Sequence, residues 1–203
     1  MNETPAIEYN EKTRVHKFNG QITPSVTQVL SCCGMVPDFS KMPGIEDAVQ
    51  RGLAVHKVTE LFDMETLDLN RVDDALIPYL KAYERFLLDS GFKNDEIENI
   101  VFSELYRCFG RVDRYGWLNG GRAIIDIKSG KAGISAGPQT AGYALLCDSN
   151  PWTIKRFALE LRADASYGLI PQDDPGDFNL FIAALAVTHW KMQNGLWRPE
   201  NGN

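Results

Sequence analysis

Gly110-Arg111-Val112-Asp113 is followed, across the turn sequence Leu118-Asn119-Gly120-Gly121, by Ile124-Ile125-Asp126-Ile127-Lys128-Ser129-Gly130. Residues 122 to 128 form a β-branched apolar run, and in a strand successive side chains point to opposite faces. Asp126 and Lys128 therefore share a face, roughly 7 Å apart along the strand. Ile125 and Ile127 point into the opposite layer. The Asn-Gly and Gly-Gly steps supply the positive φ angles of a tight hairpin, so the segment 109 to 117 pairs back and places Asp113 on the strand next to Asp126.

Two carboxylates, with the Ile127 carbonyl between Asp126 and Lys128, offer the hard oxygen ligands that suit Mg2+ or Mn2+. Such an ion polarises a phosphoryl oxygen and acidifies a bound water, while Lys128 would orient or deprotonate that water or neutralise charge building on phosphorus. The same residues also fit a surface hairpin with solvated charges.

Other segments add candidates. Gly52-Leu53-Ala54-Val55-His56-Lys57-Val58-Thr59-Glu60 reads as helical, with Gly52, His56 and Glu60 on one stripe. A small residue one turn before a histidine lets a helix approach a sheet and aim the imidazole at a metal; a hydrogen-bonded core or surface histidine is the plainer alternative. Gly137-Pro138-Gln139-Thr140-Ala141-Gly142-Tyr143-Ala144 looks like a helix start with Pro in its first turn. Gln139 and Tyr143 share its face and could hold a phosphate, a base or the lysine, or could belong to an ordinary amphipathic helix. Glu104 falls in the expected strand Ile100 to Tyr106 and could be a further metal or water ligand or an edge-strand charge.

The order Gly-x-x-x-His on a helix, then Glu, Gly-x-x-Asp, Asp-x-Lys and Gln-x-x-x-Tyr resembles the PD-(D/E)XK nuclease superfamily, in particular its RecB-like and phage exonuclease branch. Thr23-Pro24-Ser25-Val26-Thr27-Gln28-Val29-Leu30 is similar to the Pro-Ser-Val-Thr segment of phage and mitochondrial members. The likeness runs from about residue 22 to 190. It implies that His56, Asp113, Asp126 and the Ile127 carbonyl bind metal, that Lys128 is the catalytic lysine, that Gln139 and Tyr143 complete the site and that Glu104 supports it. Val112 replaces the proline of the superfamily's name, which is usual in this branch. Some relatives hold a [4Fe–4S] cluster on one cysteine ahead of the core and three near the C-terminus. Here Cys32 and Cys33 are adjacent, Cys108 and Cys147 stand apart and none follows residue 147, so no iron–sulfur cluster is expected. A structural zinc site is not expected either, since no Cys-x-x-Cys pair occurs and His16 and His189 are isolated.

At 203 residues and 44% hydrophobic content the chain is long enough for one α/β domain. The expected fold is a restriction-endonuclease-like core, a mixed β-sheet flanked by helices, over residues 21–197. A charged N-terminal extension, 1–20, and a C-terminal tail, 198–203, are expected to be loose. Helices are expected near 24 to 33, capped by Thr23 and stopped by Gly34, and near 44 to 64, 73 to 90, 138 to 148 and 178 to 193. Strands are expected within 98 to 128, at 155 to 161 and at 167 to 171.

Sparse unpatterned cysteines, a polar N-terminus and the lack of an apolar run near the ~20 residues of a membrane span point to a reducing cytoplasm; the resemblance implies that of a bacterium or a phage-infected cell. The net charge of −6 lacks the basic footprint of a nucleic-acid binder. Local patches are therefore the candidates for DNA contact: Arg51 and Lys57 by the His helix, Arg107, Arg111 and Arg114 around Asp113, and Lys131 after Lys128. Trp117, Tyr115 and Tyr106 could stack on unpaired bases or pack the sheet. The expected activity is an Mg2+- or Mn2+-dependent exonuclease acting on linear DNA ends, single- or double-stranded. The resemblance adds a role in phage or bacterial recombination or repair, with a recombination protein as a possible partner. The rival readings are a structure-selective endonuclease and a non-catalytic DNA-binding subunit.

Overall fold

In the computed structural model, which describes residues 7–10, 15–36 and 44–199, Asn119 and Gly120 take φ of 50° and 74°, the paired left-handed conformations of a type I′ hairpin. They join β5 (Cys108–Leu118) to β6 (Gly121–Lys128) in antiparallel register. β4 (Lys93–Ser103) flanks β5 antiparallel. On the other side β6 runs parallel to β7 (Lys155–Leu161), which pairs antiparallel with β8 (Tyr167–Pro171). A parallel step needs a crossover, and α4 (Ala136–Cys147) provides it.

Helices cover both faces. Ile124 of β6 packs with α4, α1 (Val26–Cys32) and α5 (Gly176–Gln193). Its neighbours Ile125 and Ile127 pack with α2 (Ile45–Asp63) and α3 (Ile77–Ser90). Strand alternation thus feeds two cores, and each fully buried aliphatic or aromatic side chain, such as Phe86, Phe181 or Leu159, contributes roughly 1.5–3 kcal/mol. The expected α/β class, a mixed sheet flanked by helices, is observed. No described helix is long and apolar enough to cross a membrane.

Several expectations need correction. α1 is capped by Ser25, not Thr23: the Ser25 Oγ accepts from Gln28 N at 3.4 Å while Gln28 Oε1 accepts from Ser25 N at 2.9 Å, a reciprocal capping box. Thr23 precedes a proline, which disfavours helical backbone, and instead ends β3 (Gln21–Thr23). The expected loose extension is partly a sheet, in which β1 (Ile7–Asn10), β2 (Val15–Phe18) and β3 pair antiparallel. A ladder of rings holds it to the body: Tyr9 on His16 at 4.5 Å, His16 on Phe109 at 4.6 Å, Phe109 on Phe102 at 4.5 Å and Phe102 on Phe18 at 4.4 Å. Residues 1–6 and 11–14 of that extension, and 200–203 of the expected tail, lie outside the described residues. Finally, β4 begins earlier than expected and ends at Ser103, so 104–107 form the turn into β5 rather than strand.

Candidate active site

The alternation of β5 breaks at Asp113. Val112 packs into the core beneath α4, yet Arg114, two residues on, reaches Thr59, Asp63 and Tyr83 on the α2 and α3 side. The paired register of β5 with β6 stops at Arg114 and Ile125, and Asp113 Oδ2 accepts from the Ile127 backbone N–H at 2.6 Å. On the β4 side, pairing of Ile97 with Arg114 and of Asn99 with Val112 leaves Glu98 opposite Asp113, with φ of 49°. Irregularities of this kind re-aim side chains and cluster at functional sites. Here they turn two carboxylates toward α2.

His56 of α2 meets them. Its Nδ1 lies 3.6 Å from Asp113 Oδ1 and 3.5 Å from Glu98 Oε1, and donor atoms of the three residues fall within 4.8 Å of one another. The negative charge of Asp113 pushes the His56 pKa up to about 9, against the effect of burial. Burial raises the Asp113 carboxyl, and the charge of His56 opposes that rise. Burial also works to raise Glu98, but His56, Arg114 and Arg111 together bring it below the usual carboxylate range. Gly52 faces Ser129, where a methyl group would sit 3.6 Å from Oγ, an ordinary contact, so packing alone does not demand glycine there.

A second network adjoins the first at the C-terminal end of β6. Lys128 Nζ lies 2.8 Å from Asp126 Oδ2 and donates to Gln139 Oε1 at 3.1 Å. The Gln139 amide donates to Asp126 Oδ1 at 3.1 Å and to the Tyr143 hydroxyl at 2.9 Å. One turn of α4 thus fixes both the acid and the lysine. Burial would lower the Lys128 pKa, but the charges of Asp126 and Asp113 win and raise it, so the ammonium form is held.

The donor set fits a divalent cation. Asp126 Oδ2 is buried and has the Lys128 ammonium at 2.8 Å but no aligned hydrogen bond, so it keeps lone-pair capacity for a cation. Carboxylates with one imidazole are a donor set for a divalent cation. His56, Glu98 and Asp113 form the three-residue cluster, and Asp126 lies in the adjoining network rather than within it.

Of the other candidates, Glu104 is exposed in the β4–β5 turn and takes no part in either network. Glu98, not Glu104, lies beside His56 and Asp113; both are glutamates of one segment, and only the register of β4 against β5 distinguishes them. Arg114 is fully buried and donates to Asp63, Glu98, Tyr83, Thr59 and the Asp113 carbonyl, so it is an internal brace and not a DNA contact. Arg111 is 56% exposed and pairs with Glu98. Arg51 and Lys131 are exposed. Lys57 pairs with Glu60 and Arg107 with Gln21. Arg122 covers the rings of Tyr115 and Trp117, which occupies both aromatics on one side.

No family model matches the chain, and no curated protein matches it in sequence. Among solved structures, a candidate exonuclease from Eubacterium rectale aligns with a TM-score of 0.57 and 12% identity, covering 87% of this chain and 83% of that one. An alkaline exonuclease from Laribacter hongkongensis aligns over 85% of this chain and 92% of its own, at 13% identity and a TM-score of 0.37. At such identity the first likeness speaks for the fold, and the second adds no weight.

Proposed function

We infer that the protein is a divalent-metal-dependent nuclease that hydrolyses phosphodiester bonds of DNA. The observation that carries this reading is the meeting, at one break in β5, of the His56, Glu98 and Asp113 donors with the Asp126, Lys128 and Gln139 network. His56, Glu98, Asp113 and Asp126, with the Ile127 carbonyl, are the groups that would hold the cation. When bound, Mg2+ or Mn2+ supplies a Lewis acid for the phosphodiester and makes a nearby water more acidic.

The chain's own residues account for the rest. The ammonium of Lys128, held by Asp126 and Gln139, donates to the phosphoryl oxygens as negative charge grows on them. Gln139 holds Lys128 and Asp126 in one geometry and takes its own orientation from Tyr143. Water then adds to phosphorus in line with the departing 3′ oxygen, losing one proton to solvent while the 3′ oxygen takes one up from solvent, which leaves a 5′-phosphate and a 3′-hydroxyl. Action at linear DNA ends, and a setting in phage or bacterial recombination or repair, rest on the motif resemblance and, for the exonuclease class, on the designation of the Eubacterium neighbour; a cytoplasmic location rests on the sparse, unpatterned cysteines.

The test is degradation of end-labelled linear DNA, single- and double-stranded, beside closed circular DNA, with Mg2+ or Mn2+ and with Lys128→Ala as control. Metal-dependent loss of linear DNA with circles spared supports the exonuclease. Cut circles would replace it by the endonuclease, and binding without cleavage by the non-catalytic subunit.

A further inference from the structure

Glu98 is shared by three cationic side chains. Oε1 lies 3.5 Å from His56 Nδ1 and accepts from Arg114 Nη1 at 3.2 Å, while Oε2 takes Arg111 Nε at 3.0 Å. The two arginines differ in their freedom. Arg114 is fully buried and has several acceptors besides Glu98. Arg111 is more than half exposed, and Glu98 is its only charged partner among the described residues. The pair is exposed on the guanidinium side only, because the Glu98 side chain is only 9% exposed, so Arg111 can swing into solvent while a cation arriving at the carboxylate competes for it. Once released, a guanidinium offers a planar fork suited to phosphate oxygens.

A divalent cation held by His56, Glu98 and Asp113 draws on the same carboxylate. We propose that Arg111 is an exchangeable clamp, which pairs with Glu98 until a divalent cation takes that carboxylate and then turns to a DNA phosphate beside the site. Cation and DNA therefore bind cooperatively through this one side chain, and the coupling is reciprocal. The position suits the task, since Arg111 stands two residues ahead of Asp113 on β5 and reaches the same carboxylate as His56; the inference rests on the proposed nuclease function.

The experiment uses the full chain carrying Lys128→Ala, so that DNA persists. Affinity for a labelled single-stranded and a duplex oligonucleotide is measured by fluorescence anisotropy with EDTA and with Mn2+, and Mn2+ affinity by electron paramagnetic resonance with and without the same DNA. Adding Arg111→Ala should leave DNA affinity in EDTA within about twofold and weaken it in Mn2+ by roughly fivefold or more, with the DNA-induced gain in Mn2+ affinity falling by the same factor. Arg111→Gln, which keeps a polar side chain, should behave alike, and Arg51→Ala should show no such difference between the two conditions. Equal weakening in EDTA and Mn2+ would make Arg111 a fixed phosphate contact and overturn the exchange. A lowered urea midpoint with DNA binding unchanged in both conditions would reduce it to a structural ion pair and overturn it too. If the unmutated protein cleaves DNA and only the coupling is missing, the clamp alone fails. If it neither cleaves DNA nor binds Mn2+, the nuclease reading fails and the clamp with it.

Discussion

Replacing Arg114 by Met removes the buried charge behind the site while keeping an unbranched side chain. Nε of Arg114 donates to Asp63 Oδ2 at 2.5 Å and Tyr83 OH at 3.1 Å, Nη1 to Glu98 Oε1 at 3.2 Å and the Asp113 carbonyl at 2.6 Å, and Nη2 to Thr59 Oγ1 at 3.1 Å. The carboxylates it serves are themselves sequestered, with Asp63 only 4% and Glu98 only 9% exposed. Removing one partner of such a network leaves buried charge uncompensated and costs about 3–5 kcal/mol. Two responses moderate the loss. Glu98 keeps Arg111 and His56. Asp63, whose proton affinity burial already raises, keeps Tyr83 and Asn94 as partners and can take up a proton.

The expected cost is therefore at the lower end, about 3 kcal/mol, which in a domain of this size lowers Tm by roughly 6–12 °C. Urea unfolding followed by tryptophan fluorescence and by circular dichroism measures it. Asp63→Asn in the Arg114→Met background should recover part of the loss, because the amide no longer needs a counter-charge. An Arg114→Met protein within about 1 kcal/mol of the parent would refute the reasoning; desolvation of the guanidinium would then match everything its partners return.

Glu98→Gln should weaken Mn2+ binding by about tenfold or more in a titration, whereas Glu104→Gln should leave it unchanged; equal losses would return Glu104 to the site. Gln139→Leu should lower kcat by roughly 10–100-fold while the urea midpoint moves little, since it frees Lys128 and Asp126 without opening the core; unaltered turnover would remove Gln139 from the machinery. Gly142→Ala would set a methyl 2.7 Å from the Phe181 ring, so a loss of about 1–3 kcal/mol is expected from overpacking between α4 and α5, and a neutral result would show that the ring gives way.

His16 offers a pH test. Burial between Tyr9 and Phe109 lowers its pKa to about 4, and its Nδ1 has no hydrogen-bond partner among the described residues. The unfolded chain takes up this proton below its ordinary value of about 6.5 and the folded chain only near 4. The contribution is thus complete above pH 6.5 and is lost as pH falls toward 4, on the order of 2 kcal/mol after allowance for solvent screening. His16→Phe should flatten stability across that window, and an unchanged pH profile would place the titration elsewhere.

Much of the frame is legible in local chemistry. The Asn119-Gly120 step can hardly be anything but a tight turn, and the alternation of residues 122 to 128 dictates which side chains share a face, because both properties belong to a few consecutive residues. The same locality puts Gln139 and Tyr143 on one face of a helix, whereas the contact of that face with Lys128 comes from the packing of α4 against β6. What the sequence alone misjudged depends on partners far along the chain. Glu98 and Glu104 are equally acidic and lie in one segment; only the register of β4 against β5 turns Glu98 toward His56 and leaves Glu104 in a turn. Arg111 and Arg114 look alike on paper and both reach Glu98, but the packing of α2 and α3 over Arg114 buries one while the other stays in solvent. The N-terminal strands likewise draw their order from His16 stacking on Phe109 and Phe18 on Phe102. Composition and periodicity determine elements and faces, whereas register, strand irregularity and long-range ring contacts exist only once the chain has closed on itself, and these decide which charges meet.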